Sequence, residues 1–202
     1  MHERSDEQLM VAVMAGDQTA LAALVTRHHA PLLGYLYHLV AGRQGRSTRS
    51  GASGDRQLAE DLVQETFLHV LRQRVCLADR PFKPWLYTIA TNLARDYFKS
   101  AAVRQRGRWD DEEDVLLSLS DSAPGPEEHA LAAEQGGEVR SALMQLSEEY
   151  RVVVVLRFYQ GFSLQEIAET LRIPLGTVKS RLSAGVHRLR NILAPIHEGV
   201  ER

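Results

Sequence analysis

The chain has little that would make it a secreted, membrane or catalytic protein. Its one cysteine, Cys76, can close no internal disulfide and has no second cysteine with which to build a structural zinc site. Cys76 is read as buried filler. The apolar run Val152–Leu156 is far shorter than the roughly 20 apolar residues that a spanning helix needs. The N-terminal "MHERSDEQLM" lacks a basic start followed by an apolar core. These absences predict a cytoplasmic protein with no membrane insertion. No Gly-rich phosphate loop, nucleophile motif or metal-spaced cluster occurs, and His28, His29 and His38 have no acid or cysteine at ligand spacing. No catalytic residue, metal or cofactor is therefore expected.

The near-neutral net charge of −2 hides a strong pattern. Residues 1–109 hold 15 Lys and Arg against 10 Asp and Glu, and residues 139–202 hold 9 against 6. Between them, residues 110–138 contain ten acids and no Lys or Arg. Two mildly basic segments are joined by an acidic strap, and local charge decides phosphate contacts. The strap also carries Pro124, Gly125, Pro126 and Gly136–Gly137, breakers that mark a flexible linker with room for short helical turns at its ends. Such a strap can compete with DNA for the two basic segments.

The first segment is patterned as helices. Ser5 with Gln8 forms a capping box, Gly16 ends that helix and Asp17 caps the next, whose apolar positions run from Leu21 to Leu39 with a kink expected at Pro31. Residues 42–57, rich in Gly, Ser and Arg, read as a solvated loop. In "LAEDLVQETFLHVLRQ", Leu58, Leu62, Phe67, Val70 and Leu71 share a face opposite Asp61, Gln64, Glu65 and Arg72. In "PFKPWLYTIATNLARDYFKS", the buried stripe is Trp85, Leu86, Ile89, Ala90, Leu93 and Tyr97. The other face shows Lys83, Tyr87, Thr88, Thr91, Asn92, Arg95 and Lys99. Cations, amides and an aromatic side by side suit a single nucleic-acid strand, although a solvated helix face has a similar composition.

After the strap, the helical neighbours of "VVVV" favour a buried helix over a strand. Gly161 ends it, and Ser163 with Glu166 caps a helix running to about Leu171. "RIPLG" is the expected turn, with Gly176 free to take positive φ and the last helix starting near Thr177. Small Ala168, with Ile167, Leu171, Ile173, Val178 and Leu182 between the helices, describes a helix-turn-helix. Lys179, Ser180, Ser183 and His187 then face base edges, with Arg181, Arg188 and Arg190 beside them for phosphates.

Together, "AEDLVQETFLHVL", "PFKPWLYTIATNLARDYFK" and "LSEEYRVVVVLRFYQGFSLQEIAETLRIPLGTVKSRLSAGVHRLR" resemble bacterial RNA polymerase sigma factors of the extracytoplasmic-function class. The resemblance implies an all-α fold of two small helical domains joined by the acidic linker. Residues 1–109 are the region 2-like domain, 110–138 the linker, 139–194 the region 4-like helix-turn-helix domain and 195–202 a short tail. It further implies docking of Asp61, Gln64 and Glu65 on the β′ coiled coil of core RNA polymerase. Lys83, Tyr87, Thr88, Asn92 and Arg95 would read and melt the minus-ten element, while Trp85 packs in the core. Thr177, Lys179, Ser180, Arg181, Ser183, His187 and Arg188 would read the minus-thirty-five element. The polymerase β flap at region 4, promoter DNA and an anti-sigma factor complete the implied partners.

Two departures from the family pattern are visible. Ala184-Gly185-Val186 stands where relatives often carry Arg-Ala-Arg, and residues 42–57 replace a short turn. The rival reading is a free-standing helix-turn-helix regulator with an N-terminal sensing or dimerisation domain.

Overall fold

The computed structural model describes residues 4–40, 51–72, 80–106 and 130–198, all within or beside helices. Cys76, the stretch 41–50 and the acid cluster Asp110–Asp114 lie outside the described residues.

Helices α1 (Asp6–Met14) and α2 (Gln18–Val40) pack together as a hairpin. The Ser5 hydroxyl accepts from the Gln8 amide and the Gln8 side chain accepts from the Ser5 amide, so two otherwise orphaned donors are satisfied reciprocally. Gly16 makes the turn at φ 93°, and Asp17 Oδ1 accepts from the amides of Thr19 (2.9 Å) and Ala20 (3.2 Å) to start α2. Pro31 lies inside α2. Asp6 fastens the hairpin, taking His28 Nε2 at 2.8 Å and the Arg27 guanidinium. His28 is buried, with its ring 5.2 Å from that of Phe82.

Helix α3 (Gly51–Arg72) begins earlier than expected. Residues 51–57, assigned to the loop from composition, are its first turns, supported by side-chain pairs Arg56–Glu60 and Gln57–Asp61 four residues apart. Helix α4 (Phe82–Arg106) follows. Its first amide, that of Phe82, donates to Glu7 Oε1 at 3.1 Å, a cap delivered from α1. That hydrogen bond holds the Glu7 carboxyl below its ordinary range.

The second half contains α5 (Ala130–Gln145), α6 (Glu148–Phe158), α7 (Leu164–Leu171) and α8 (Leu175–Glu198). Residues 130–138, read as the end of the linker, are the first turns of α5, and Gly136–Gly137 sit inside it. The valine run is helical and every residue from Arg151 to Leu156 is buried. Apolar surface all round a helix requires neighbours on all sides, and α6 packs against α2, α7 and α8.

The two halves share one continuous apolar core. The rings of Tyr35, Tyr87 and Phe162, from α2, α4 and the α6–α7 connection, are spaced 5.0 Å apart in sequence along it. Arg151 crosses the same boundary, donating to the Leu39 carbonyl near the end of α2 (3.2 Å) and to Met144 and Leu146 at the end of α5. A cation at the C-termini of two helices is favoured by both dipoles.

Candidate nucleic-acid and polymerase interfaces

On α3 the period of 3.6 separates two faces. Leu58, Leu62, Val63, Phe67 and Val70 are buried, while Asp61 and Gln64 are exposed and Glu65 is half-buried beside them. Leu71 departs from expectation. It is 41% exposed and Leu68 is 43% exposed, so two leucines continue the stripe of Asp61, Gln64 and Glu65 toward Arg72. Their spacing from Gln64 was the sequence signal, obscured because leucine in an amphipathic helix is usually core. Glu65 pairs with His69 (3.3 Å) and Arg72 (3.5 Å) on this surface.

Helix α7 opens with its capping box: the Glu166 amide donates to Ser163 Oγ (3.2 Å) and the Ser163 amide to Glu166 Oε2 (2.8 Å). Ile167, Ala168, Leu171 and Val178 are buried where α7 meets α8, with Ile173 and Leu182 partly so. The turn differs in detail from expectation. Positive φ falls on Arg172 (53°), the left-handed cap of α7, and not on Gly176. Gly176 lies in the first turn of α8, which begins at Leu175, two residues ahead of Thr177. Pro174 starts it, its carbonyl accepting from Thr177 and Val178.

Lys179, Ser180, Ser183 and His187 are all exposed. They lie one, three and four residues apart along α8, a single face turned away from Val178 and the core. Thr177 is half-buried in the first turn. The two arginines flanking the face are held from the first turn of α6: Arg181 pairs with Glu149 at 2.9 Å, and the Arg188 guanidinium lies 4.2 Å from the Tyr150 ring centroid. Gly185 has a packing cause, because a β-carbon there would stand 2.9 Å from Val154 Cγ2 on α6.

On α4 the predicted faces hold only in part. Leu86, Ile89 and Ala90 are buried as expected, and Trp85 packs at 6.0 Å from Phe82. Tyr87 and Thr91, assigned to the open face, are buried. Thr91 donates to the Tyr87 carbonyl and so accepts from the Tyr35 hydroxyl, each at 2.6 Å. Burial pushes the Tyr87 phenol above its ordinary range, which keeps it a neutral donor, and it donates to Gln160 Oε1 at 2.6 Å. The second half of the chain covers this side of α4, a contact outside the reach of helical periodicity. Of the five residues singled out on α4, Asn92 alone is exposed, whereas Lys83, Thr88 and Arg95 are half-buried with partners from the second half.

Among the described residues no group of three or more His, Cys, Asp or Glu could hold a metal ion. None of the described helices is long and apolar enough to cross a membrane.

Residues 24–104 match the family model described as Sigma-70 region 2, and residues 136–189 the model described as Sigma-70, region 4. The chain is also 36% identical over 200 residues to the ECF RNA polymerase sigma factor SigE of Mycolicibacterium smegmatis, spanning 95% of this chain and 70% of that one. The chain belongs to the sigma-70 family, in its extracytoplasmic-function class. This sigma factor therefore acts with core RNA polymerase in promoter-directed initiation of transcription, and the free-standing regulator is displaced by the region 2 match to the first half. Its fold is similar to CnrH in complex with the cytosolic domain of CnrY (TM-score 0.66, 23% identity, 95% of this chain and 99% of that one). It is also similar to the sigma factor RpoE in complex with the anti-sigma factor NepR from Bartonella quintana (TM-score 0.59, 23% identity, 88% and 96%).

Proposed function

We propose a division of labour among three surfaces of this sigma factor. Asp61, Gln64 and Glu65, extended by Leu68 and Leu71, dock on the β′ coiled coil, with two leucines supplying apolar area amid polar contacts that set orientation. Lys179, Ser180 and Ser183 read base edges of the duplex minus-thirty-five element, with His187 further along the same face. Thr177, Arg181 and Arg188 contact the flanking backbone. Asn92, with Lys83, Tyr87, Thr88 and Arg95, forms the minus-ten reader of residues 1–109. Holding an unstacked base offsets the few kcal/mol its extrusion costs.

The observation that supports this reading best is the exposed row Lys179, Ser180, Ser183 and His187, presented by the second helix of a capped helix-turn-helix within region 4. The chain contributes specificity and no bond chemistry, works in the cytoplasm beside the polymerase, and needs no metal or cofactor. The β flap is the polymerase partner of the region 4-like domain, 139–194. An anti-sigma factor is proposed as a further partner, supported by the fold it shares with a sigma factor solved with one.

The test is transcription by core polymerase from a promoter library with the purified chain. Specific transcripts are expected, lost with Asp61→Ala/Glu65→Ala and altered in sequence preference with Lys179→Ala or Ser183→Ala. Tight footprinting of duplex DNA by the chain alone, with no comigration with polymerase, overturns the reading.

A further inference from the structure

Two side chains from the first turn of α6 reach the DNA-reading helix. Glu149 Oε2 takes the Arg181 guanidinium at 2.9 Å, and the Arg188 guanidinium carbon lies 4.2 Å from the centroid of the Tyr150 ring. Thr177, Arg181 and Arg188 stand four and then seven residues apart, which aligns them along one flank of α8. That flank borders the exposed row of Lys179, Ser180, Ser183 and His187, and it is the one given to the DNA backbone.

Gly185 makes the reach possible. It is buried between the two arginines, and a β-carbon there would stand 3.4 Å from Tyr150 Cβ and 3.6 Å from the Tyr150 carbonyl oxygen. The absent side chain lets the first turn of α6 come up beside the flank. Glu149 is the second residue of α6, where the helix dipole favours an acid and helps hold the carboxylate in place.

The two arginines are held in chemically different ways. An aromatic face attracts a guanidinium without adding a charge of its own, and stacking leaves the N–H groups at the guanidinium edge free to meet phosphate. Arg188 is exposed, so that edge is open to DNA. A carboxylate instead offers Arg181 the same charge-assisted bonding that a phosphate offers, and DNA must displace it or share it. The Arg181 side chain is 26% exposed and that of Glu149 is 48% exposed, so an approaching phosphate meets the acid as much as the cation.

We propose that the first turn of α6 sets the strength with which region 4 grips duplex DNA: Tyr150 positions Arg188 for phosphate, and Glu149 tempers the grip by occupying Arg181. The proposal rests on the backbone role given to Arg181 and Arg188. A stacked arginine has less side-chain freedom to lose when DNA arrives, whereas a paired one adds little to the counterions that DNA releases. Tempered backbone attraction leaves discrimination to the base-reading row.

The test titrates core polymerase carrying each full-length variant against a fluorescein-labelled promoter duplex, chosen from the library that the parent transcribes, at several salt concentrations. Glu149→Gln should tighten binding about twofold to fivefold, the worth of an exposed ion pair, and steepen the salt dependence by about one ion. Both effects should vanish in an Arg181→Ala background. Tyr150→Leu keeps apolar bulk against α8 and removes the π face. It should weaken binding about twofold to fivefold, Tyr150→Phe should restore the parental affinity, and the difference should vanish in an Arg188→Ala background. Glu149→Gln alters only an exposed side chain, so it remains informative if Tyr150→Leu folds poorly. Unchanged or weaker binding by Glu149→Gln overturns the role of Glu149, and Tyr150→Phe binding as weakly as Tyr150→Leu overturns that of Tyr150. Effects that persist without the arginines overturn both. Arg188→Ala separates the positioning from the backbone role: unchanged affinity and salt dependence overturn the backbone role, whereas weaker binding with silent α6 variants overturns only the positioning.

Discussion

Gly185 on α8 and Val154 on α6 pack so closely that a β-carbon on the glycine would lie 2.9 Å from Val154 Cγ2, with Tyr150 Cβ at 3.4 Å. The position is buried, and α6 and α8 are neighbours along the core of region 4. This contact accounts for the glycine in Ala184-Gly185-Val186.

Gly185→Ala tests it because two effects oppose each other. Alanine improves helix propensity by about 1 kcal/mol, while overpacking costs roughly 1–3 kcal/mol. The expected net result is a loss of about 1 kcal/mol in urea unfolding, and Val154→Ala in the same chain should reverse its sign. A stabilised single mutant would show that the helices separate freely.

His38 makes stability depend on pH. Its ring lies 4.5 Å from that of Tyr159 and 6.2 Å from that of Tyr37, and burial, aided by the Arg140 charge, holds its pKa below the ordinary value. The unfolded chain then binds more protons between the lowered folded pKa and the unfolded value of about 6.5. Stability is full above pH 6.5 and falls as the pH drops through that window. Thermal unfolding at pH 7.5 and 5.5 should show a larger drop for the parent than for His38→Phe; equal drops would exclude His38 as the source.

The face of α8 predicts two kinds of defect. Lys179→Ala and Ser183→Ala should each change preference at particular base pairs, with about 1–3 kcal/mol of lost discrimination for a good contact. Arg188→Ala should weaken all promoters alike and reduce the salt dependence by about one ion. Promoter-library sequencing with the polymerase holoenzyme at two salt concentrations distinguishes them. Uniform loss for Lys179→Ala would move that residue from base reading to the backbone.

Leu68 and Leu71 carry the prediction for polymerase docking. Leu68→Ser/Leu71→Ser should weaken core polymerase binding on the order of tenfold while the melting temperature stays within a few degrees, because both side chains are largely exposed. A large loss of stability with unaltered binding would return them to the core.

The local elements were legible in the sequence because each rests on residues close in the chain. Capping boxes at Ser5–Gln8 and Ser163–Glu166, the cap at Asp17, the turns at Gly16 and Gly161, and the polar stripe Asp61, Gln64 and Glu65 all depend on spacings of one turn or less. The helix-turn-helix was equally readable, since its packing residues lie within one short segment. Finer choices failed where two local signals competed. Gly176 looked like the residue for positive φ, but Pro174 starts α8 so early that Arg172 takes the left-handed position. Glycine and serine at 51–57 looked like loop, yet α3 extends through them.

What the sequence by itself determined is therefore the list of parts: two helical domains, their caps, and the charged faces of α3 and α8. Only the tertiary structure decided which faces stay open. Tyr87 and Thr91 have the periodicity of an exposed face, yet Tyr87 is buried against Phe162 and Gln160 from the other half of the chain and Thr91 against Tyr35 of α2. Gln160 carries no pattern at all, yet it joins Pro31, Lys83 and Tyr87, residues 129, 77 and 73 positions away. Periodicity reports a helix's preference for one buried side; how many sides are covered depends on which distant surfaces complement it, and that is settled by packing.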